Sequence, residues 1–543
     1  MTVPRPLPLH RPDPLLRVAD LRAAEADAAA ALPPHTLMGR AGAATARWLA
    51  ERLADGLTAG LTDGLADGPA GGSDDRLAGG LADGGRPVWF AVGPGNNGGD
   101  ALVAAAELER LGIATEAWMP VEVKPSDARW ALGVARAAGV PISAEPPASL
   151  DGYAWVVDGL FGIGLARPLD GAFAAMAERI AARARTVGRV LALDVPSGLD
   201  SDTGTVVGDG AAAAATHTLT FIAAKPGLYM SDGRDLAGTV DIATLDVPPP
   251  AVSGAPGVRL NAPALFAHAL PARRHASHKG TFGSIAIVGG DTGMCGAPIL
   301  AARAALFAGA GKVHVGFVGA GAPPYDPPFP ELMLHPADGL RLDAMTAVAL
   351  GCGLGTREPA VHAVRDVLAC DAAKLVDADA LNLVAAHPDL ATAVAACGAR
   401  GDACVLTPHP LEAARLLDCD TATVQRDRLA AAQALAARFS AVVVLKGAGT
   451  VIAAPDGSLT VNPTGNAALA TGGTGDVLGG LIGALLAQRV PPVDAARAGV
   501  YLHGLAADVL TADGIGPAGI AAGELAPTVR ALLNRLFYPP AGA

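Results

Sequence analysis

Apolar positions fall into short unbroken runs separated by longer stretches of helical period. In the first half, the apolar runs within PVWFAVG (87–93), AWVVDGLFG (154–162), RVLALDVPSG (189–198) and THTLTFIAAKPGL (216–228) each give way to glycine, proline, aspartate or lysine. Alanine-rich stretches lie between them, the bookkeeping of βαβ units on a parallel sheet. In the second half GSIAIVGGD (283–291), AVALGCGLGT (347–356), AKLVDADAL (373–381), ACVLTPHPLEAARLL (403–417) and AVVVLKGAGTVIAAPDG (441–457) repeat the pattern. Polar loops at the carboxyl ends of such strands are where ligands bind in an open α/β sheet. Ahead of the first strand, residues 17–53 are helical in period, with Leu37, Ala41, Ala44 and Leu49 near one face.

The expectation is therefore α/β: two three-layer domains, 15–250 and 260–538, joined by a linker at 251–259 inside VPPPAVSGAPG (247–257). Residues 1–15 are proline-rich and expected to be disordered. The DGL and ADG units of 54–85 read as a low-complexity, solvent-exposed insertion, too rich in glycine for a helix.

Composition narrows the class. A chain of 543 residues exceeds one compact core. Only 4% is aromatic against 51% hydrophobic, which suits helices on parallel sheet. The net charge of −12 argues against nucleic acid as partner, though not against a small anion held by backbone N–H groups. Six scattered cysteines without a C-x-x-C pair read as reduced packing residues. The N-terminal prolines do not make a signal peptide, and no apolar run reaches the length of a membrane span, so a soluble cytoplasmic protein is expected.

Two glycine-rich loops carry the chemistry. GPGNNGGD (93–100) combines bare backbone with amide and carboxylate oxygens; the alternative is a tight strand–helix turn with Asp100 as helix cap. GGTGD (472–476) opens an apolar helix, so its N–H groups and the helix dipole make an anion hole, with Asp476 placed as a base. The alternative there is Asp476, or Thr474, as a simple cap.

GPGNNGGD, VVDGLFGIGLARP (156–168) and LDVPSGLDSDTG (193–204), in this order, resemble the NAD(P)H-hydrate epimerase family, with a Rossmann-like domain. The resemblance implies that Asn96, Asn97, Gly98, Gly99 and Asp100, with Gly162, Ile163, Gly164, Leu165, Ala166, Arg167 and Pro168, hold a hydrated nicotinamide dinucleotide. Asn97, Asp158 and Ser197 match potassium ligands, and Asp194 the catalytic acid/base contacting the hydrate. Lys225 is read either as a phosphate contact or as a solvated lysine at a strand end.

HKGTFGSIAIVGG (278–290), DADALN (377–382), LTPHPLEAARLL (406–417), LKGAGTVIAAPDG (445–457) and GNAALATGGTGD (465–476) together resemble the ribokinase-like ADP/ATP-dependent NAD(P)H-hydrate dehydratases. By that resemblance Ala297, Gly355, His409 and Asp476 contact the hydrate, Asp476 catalytically. Lys446, Gly447, Ala448, Gly449, Thr450 and Gly475 contact ADP. Glu412 is either a magnesium ligand or a helix-start carboxylate, His409 either a contact or a structural histidine, and Asp377 and Asp379 line the cleft. Cys352 stands where the family commonly has proline, and Met294 and Cys295 replace a Tyr-Thr pair. The implied function is repair of NADHX and NADPHX: epimerisation of R and S forms, then ADP-dependent dehydration of the S form to NAD(P)H, giving AMP and phosphate. Potassium serves the first domain and magnesium the second, and a homo-oligomer is expected. The competing reading is a ribokinase-like small-molecule kinase with a non-catalytic N-terminal ligand-binding domain.

Overall fold

The structure, a computed structural model, describes residues 10–62, 85–208, 210–248 and 257–539. The chain divides into two compact units, 14–252 and 253–543, the latter also taking residues 1–13.

The first unit carries a sheet ordered β4–β3–β2–β5–β6–β7–β8. Its strands are β2 (Val88–Val92), β3 (Thr115–Trp118), β4 (Ile142–Ser143), β5 (Trp155–Gly159), β6 (Val190–Leu193), β7 (His217–Phe221) and β8 (Thr239–Ala243), preceded by the short β1 (Pro14–Leu15). All pairs within that sheet are parallel. Alternation along the strands makes three layers. Val88, Phe90, Val92, Val157, Leu191 and Leu193 join a core with α2 (Thr36–Thr62) and α3 (Asn96–Arg110). Trp89, Ala91, Val156, Val190 and Ala192 face the other way, onto Met176, Ala177 and Ile180 of α5 (Gly171–Thr186). The helices α1 (Val18–Ala31), α4 (Ser126–Ala137) and α6 (Gly233–Leu236) complete the unit.

In the second unit the order is β9–β18–β17–β16–β15–β14–β13–β10–β11–β12. The strands are β9 (Val258–Leu260), β10 (Ser284–Gly289), β11 (Lys312–Phe317), β12 (Met333–Pro336), β13 (Ala347–Leu350), β14 (Ala373–Val376), β15 (Cys404–Leu406), β16 (Val442–Leu445), β17 (Val451–Ala453) and β18 (Leu459–Val461). Pairing is parallel except for the antiparallel β16–β17 and β17–β18 ladders. Ile285, Ile287, Ala347 and Ala349 pack with α7 (Gly296–Phe307), α14 (Thr474–Ala487), α15 (Pro492–Ala512) and α16 (Ala522–Phe537). The intervening Ala286, Val288, Val348 and Leu350 are equally buried on the opposite face. That side of the sequence supplies α8 (Glu358–Ala369), α9 (Ala378–Ala386), α10 (Pro388–Ala399), α11 (Pro410–Leu417), α12 (Thr421–Arg426) and α13 (Arg428–Phe439).

Three expectations need correction. Helix α2 runs through to Thr62, so residues 54–62 are helical rather than looped; residues 63–84 lie outside the described residues. Residues 10–15 are ordered: His10 bonds Tyr501 at 3.2 Å, and the Asp13 carbonyl accepts from Leu260 N–H. The expected linker overlaps β9 at Val258, while residues 251–256 lie outside the described residues.

Candidate active sites

In the first unit the loops after β2, β5 and β6 converge. Helix α3 begins at Asn96 behind Gly95, with no side chain capping it, so its first N–H groups remain free for a ligand. Asp100 is therefore within the helix and is not its cap. Gly98 has no alternative: a methyl group there would sit 2.0 Å from the Gly93 carbonyl oxygen. Asp194 ends β6 in the left-handed region, φ 68°, held by its N–H to the Leu219 carbonyl at 2.8 Å. Its carboxylate accepts the Lys225 ammonium, and Lys225, wholly buried, also donates to Thr220 Oγ1 and the Phe221 carbonyl. Both sequence readings of Lys225 are thus overturned: it is neither solvated nor directed at phosphate, but holds Asp194.

Asp158, fully buried at the end of β5, accepts from Ser197 N–H at 2.8 Å and Ser197 Oγ at 2.6 Å. Burial pushes its pKa up, and the Ser197 bonds oppose that. Asn97 is 8% exposed, yet among the described residues neither its side-chain oxygen nor its nitrogen has a partner. Leaving such an amide unsatisfied costs about 1–3 kcal/mol, which a ligand would relieve. Asn97 and Asp194 meet at Gly162, where an added methyl would lie 3.1 Å from Asp194 Oδ2 and 3.4 Å from Asn97 Oδ1. The loop from Gly162 leads outward: Ile163 N–H lies 3.4 Å from Asp194 Oδ2, while Gly164, Ala166, Arg167 and Pro168 are exposed, with Leu165 partly so.

In the second unit the site forms at the N-terminus of α14. Its cap is Gly473, φ 92°, with no side-chain bond, and the Thr474 hydroxyl donates instead to the Leu469 and Thr471 carbonyls. The capping alternatives for Asp476 and Thr474 are removed, and among the described residues no side chain caps the first N–H groups of α14. Lys446 lies over them: a methyl on Gly475 would be 3.8 Å from its Nζ. Lys446 pairs with Asp377 Oδ1 at 2.6 Å, with Glu412 Oε2 at 4.0 Å. Burial works against the ammonium, but Asp377 and Glu412 outweigh it and raise its pKa. Burial, then Asp377, pushes Asp476 up to about 6, while the Cys352 thiol against its carboxyl and Lys446 pull it down. Glu412 is pushed up to about 7 by burial, against Lys446. His409 caps α11, its Nδ1 accepting from Leu411 and Glu412 N–H, while Glu412 accepts in return from His409 N–H. Burial and Lys446 hold its imidazole below the usual range. Ala297 lies in the first turn of α7 and packs on Gly353, and Gly355, on the loop after β13, donates its N–H to Asp379 at 2.8 Å.

Two family models match, one described as YjeF-related protein N-terminus over residues 34–227 and one as NAD(P)H-hydrate dehydratase over 285–528. A bifunctional NAD(P)H-hydrate repair enzyme of Escherichia coli K12 is 38% identical over 460 residues, covering 82% of this chain and 85% of that one. The chain belongs to the bifunctional NAD(P)H-hydrate repair enzymes. An ADP-dependent (S)-NAD(P)H-hydrate dehydratase of Neisseria meningitidis serogroup B is 50% identical over 50% of this chain and 92% of its own. A solved ADP/ATP-dependent NAD(P)H-hydrate dehydratase of Bacillus subtilis, co-crystallized with ATP and magnesium, covers 52% of this chain and 99% of that one at 31% identity, TM-score 0.44.

In this repair enzyme the loop from Lys446 to Thr450 joins β16 to β17, and the residue that shapes it was missed from sequence. Arg428, buried at the start of α13, donates to the Leu445, Lys446 and Gly449 carbonyls and to Gln425. Gly447, φ 139°, admits it: a methyl there would lie 2.6 Å from the guanidinium. No spacing in the sequence links Arg428 to that loop. A charged residue opening a largely apolar helix was the available signal.

Proposed function

We propose that the first unit interconverts the R and S epimers of NADHX and NADPHX and that the second dehydrates the S epimer with ADP, yielding NAD(P)H, AMP and phosphate. Family membership supports the pair of activities. The observation that carries the chemistry is Asp476, a half-buried carboxyl at an uncapped helix N-terminus beneath Lys446. Hydroxide leaves poorly and phosphate leaves readily. Asp476 takes the proton of the hydrate hydroxyl as its oxygen attacks the terminal phosphorus of ADP and the P–O bond to AMP breaks. The α14 N–H groups and Lys446 stabilise the charge gathering on the transferred group. Loss of a ring proton with departure of phosphate then regenerates the nicotinamide.

The implied ions suit the residues. Asn97 Oδ1, unpartnered and buried, with Asp158 and Ser197 Oγ offers the oxygen donors a potassium ion prefers. Among the described residues no cluster of three His, Cys, Asp or Glu side chains forms a metal cage. Magnesium needs none when phosphates supply its other ligands, and Glu412 is the carboxylate that would hold it, neutralising phosphate charge. Among the described residues no single helix is long and apolar enough to cross a membrane. A cytoplasmic location is part of the same proposal and rests on family membership alone.

The test mixes purified chain with both NADHX epimers and ADP. Full recovery of reduced-nicotinamide absorbance, with AMP released, is expected. A stable phosphorylated product would instead favour a small-molecule kinase.

A further inference from the structure

Helix α1 lies outside the matched family models, which begin at residue 34, yet it reaches the epimerising site. Three contacts fix it there. Leu15 bridges Ala224 in parallel, Leu16 N–H donates to the Ala224 carbonyl at 2.9 Å beside Lys225, and Val18 N–H donates to Asp202 Oδ1 at 2.8 Å. The inner face of α1 buries Leu21 and Ala24, with Ala28 packed on the core. Glu25 stands on that same face, one turn after Leu21, where the amphipathic pattern calls for an apolar side chain. It is half-buried, and its electrostatic neighbours are Asp194, Lys225 and Arg22. Among the described residues it makes no hydrogen bond or ion pair within 4.0 Å. Arg22, one turn earlier, points at the ligand loop, its guanidinium 3.9 Å from where a methyl on Gly164 would lie. The buried, unpartnered Asn97 amide marks the same cleft as a ligand site.

We propose that Glu25 is the second acid–base residue of the epimerising site, working with Asp194 at the hydrated carbon; the inference rests on the epimerase reading above. Inverting a carbinolamine needs a proton given and a proton taken, and one carboxylate bound to Lys225 supplies only the second. Glu25 gives its proton to the ring hydroxyl. The C–O bond breaks, its electron pair leaves with oxygen as water, and the ring nitrogen lone pair forms the C=N bond. A solvent water then attacks that carbon from the opposite face and passes a proton to Asp194, and the C=N pair returns to nitrogen. The reverse direction exchanges the two roles. Burial, then the Asp194 charge, raises the Glu25 pKa, with Lys225 and Arg22 opposing. Asp100, pushed up by burial and by Asp194 and Glu25, is the other carboxyl facing this group. A carboxyl whose surroundings favour its protonated form is what a proton donor requires.

The experiment uses the full chain with purified (R)-NADHX and follows appearance of the S epimer without ADP across pH. Glu25→Gln is expected to lower kcat for epimerisation about 100-fold or more with KM nearly unchanged. It should also erase the alkaline limb that loss of the Glu25 proton gives the unsubstituted chain. Glu25→Asp should restore part of the rate, and dehydration of the S epimer should be untouched. An E25Q chain that epimerises at the full rate with the same pH profile overturns the role of Glu25. So does a fall in E25Q that Glu25→Asp shares in full while both melt early. An unsubstituted chain that fails to epimerise overturns the function reading itself, a separate outcome.

Discussion

A carboxyl that takes a proton from a hydroxyl must enter the reaction unprotonated. Burial lifts Asp476 to about 6, so it is a base above that pH and a spent one below. The rate of dehydration at saturating S epimer should be level above about pH 6 and fall about tenfold per unit below it. The Cys352 thiol, packed against Asp476, lowers that value, so Cys352→Ala should move the acid limb to higher pH. A limb near pH 4, the range of an ordinary aspartate, would remove Asp476 as the base. Cys352 is also where the sequence was legible only in part. Its position beside GLG was visible as a departure from the family, but contact with Asp476, 124 residues later (476 − 352), depends on the β13 loop meeting α14. Lys225 failed for the same reason. Its place at a strand end suggested solvent or phosphate, whereas the left-handed turn at Asp194 brings that carboxylate to it.

Elements were read more securely than their limits. The parallel strands ending in Asp158, Asp194, Asp377 and Lys446 followed from short apolar runs, because a strand buried on both faces has no polar alternation. The end of α2 did not follow. Each glycine costs a helix about 1 kcal/mol, but a helix already nucleated from Thr36 gains a hydrogen bond with every residue added, and it continues to Thr62. The loop between β16 and β17 shows what a single buried side chain does for an element. Arg428 is pushed down to about 10 by burial and satisfies three carbonyls that would otherwise face one another. Hydrogen bonds to a charged group contribute about 1.5–3 kcal/mol. Arg428→Met should therefore weaken ADP binding roughly tenfold or more by titration calorimetry, leaving (S)-NADHX affinity near its original value. Unchanged ADP affinity would mean that the loop holds its shape without the arginine.

At the scale of the whole chain, two units with separate cores make stability and activity separable. His503 of α15 is buried and neutral, its pKa lowered to about 4 by burial, with the Thr474 backbone opposing. An unfolded histidine binds its proton near pH 6.5. The unfolded state therefore takes up more protons between these values, and the second unit loses stability as pH falls from about 6.5 towards 4, by roughly 3 kcal/mol. Thermal melts across that window should show the loss, and a His503→Gln chain should show a smaller slope.

The same separation governs turnover of a mixed substrate. In an Asp194→Asn chain the ion pair with Lys225 and the proposed proton acceptor are both gone, while the α14 site keeps Asp476, Lys446 and its uncapped N–H groups. With ADP in excess and both NADHX epimers present, this variant should recover NADH quickly only to the fraction initially in the S form. The R epimer should then persist except for its slow unassisted interconversion. Asp476→Asn should do the reverse, equilibrating the epimers while recovering almost no NADH, since the hydroxyl is never made a nucleophile. Mixing the two variants should restore complete recovery, because each contributes the unit the other lacks and substrate passes between them through solution. Chromatography of the residual epimers decides the matter: an Asp194→Asn chain that consumes the R form as fast as the unsubstituted one would place epimerisation outside the β6 loop.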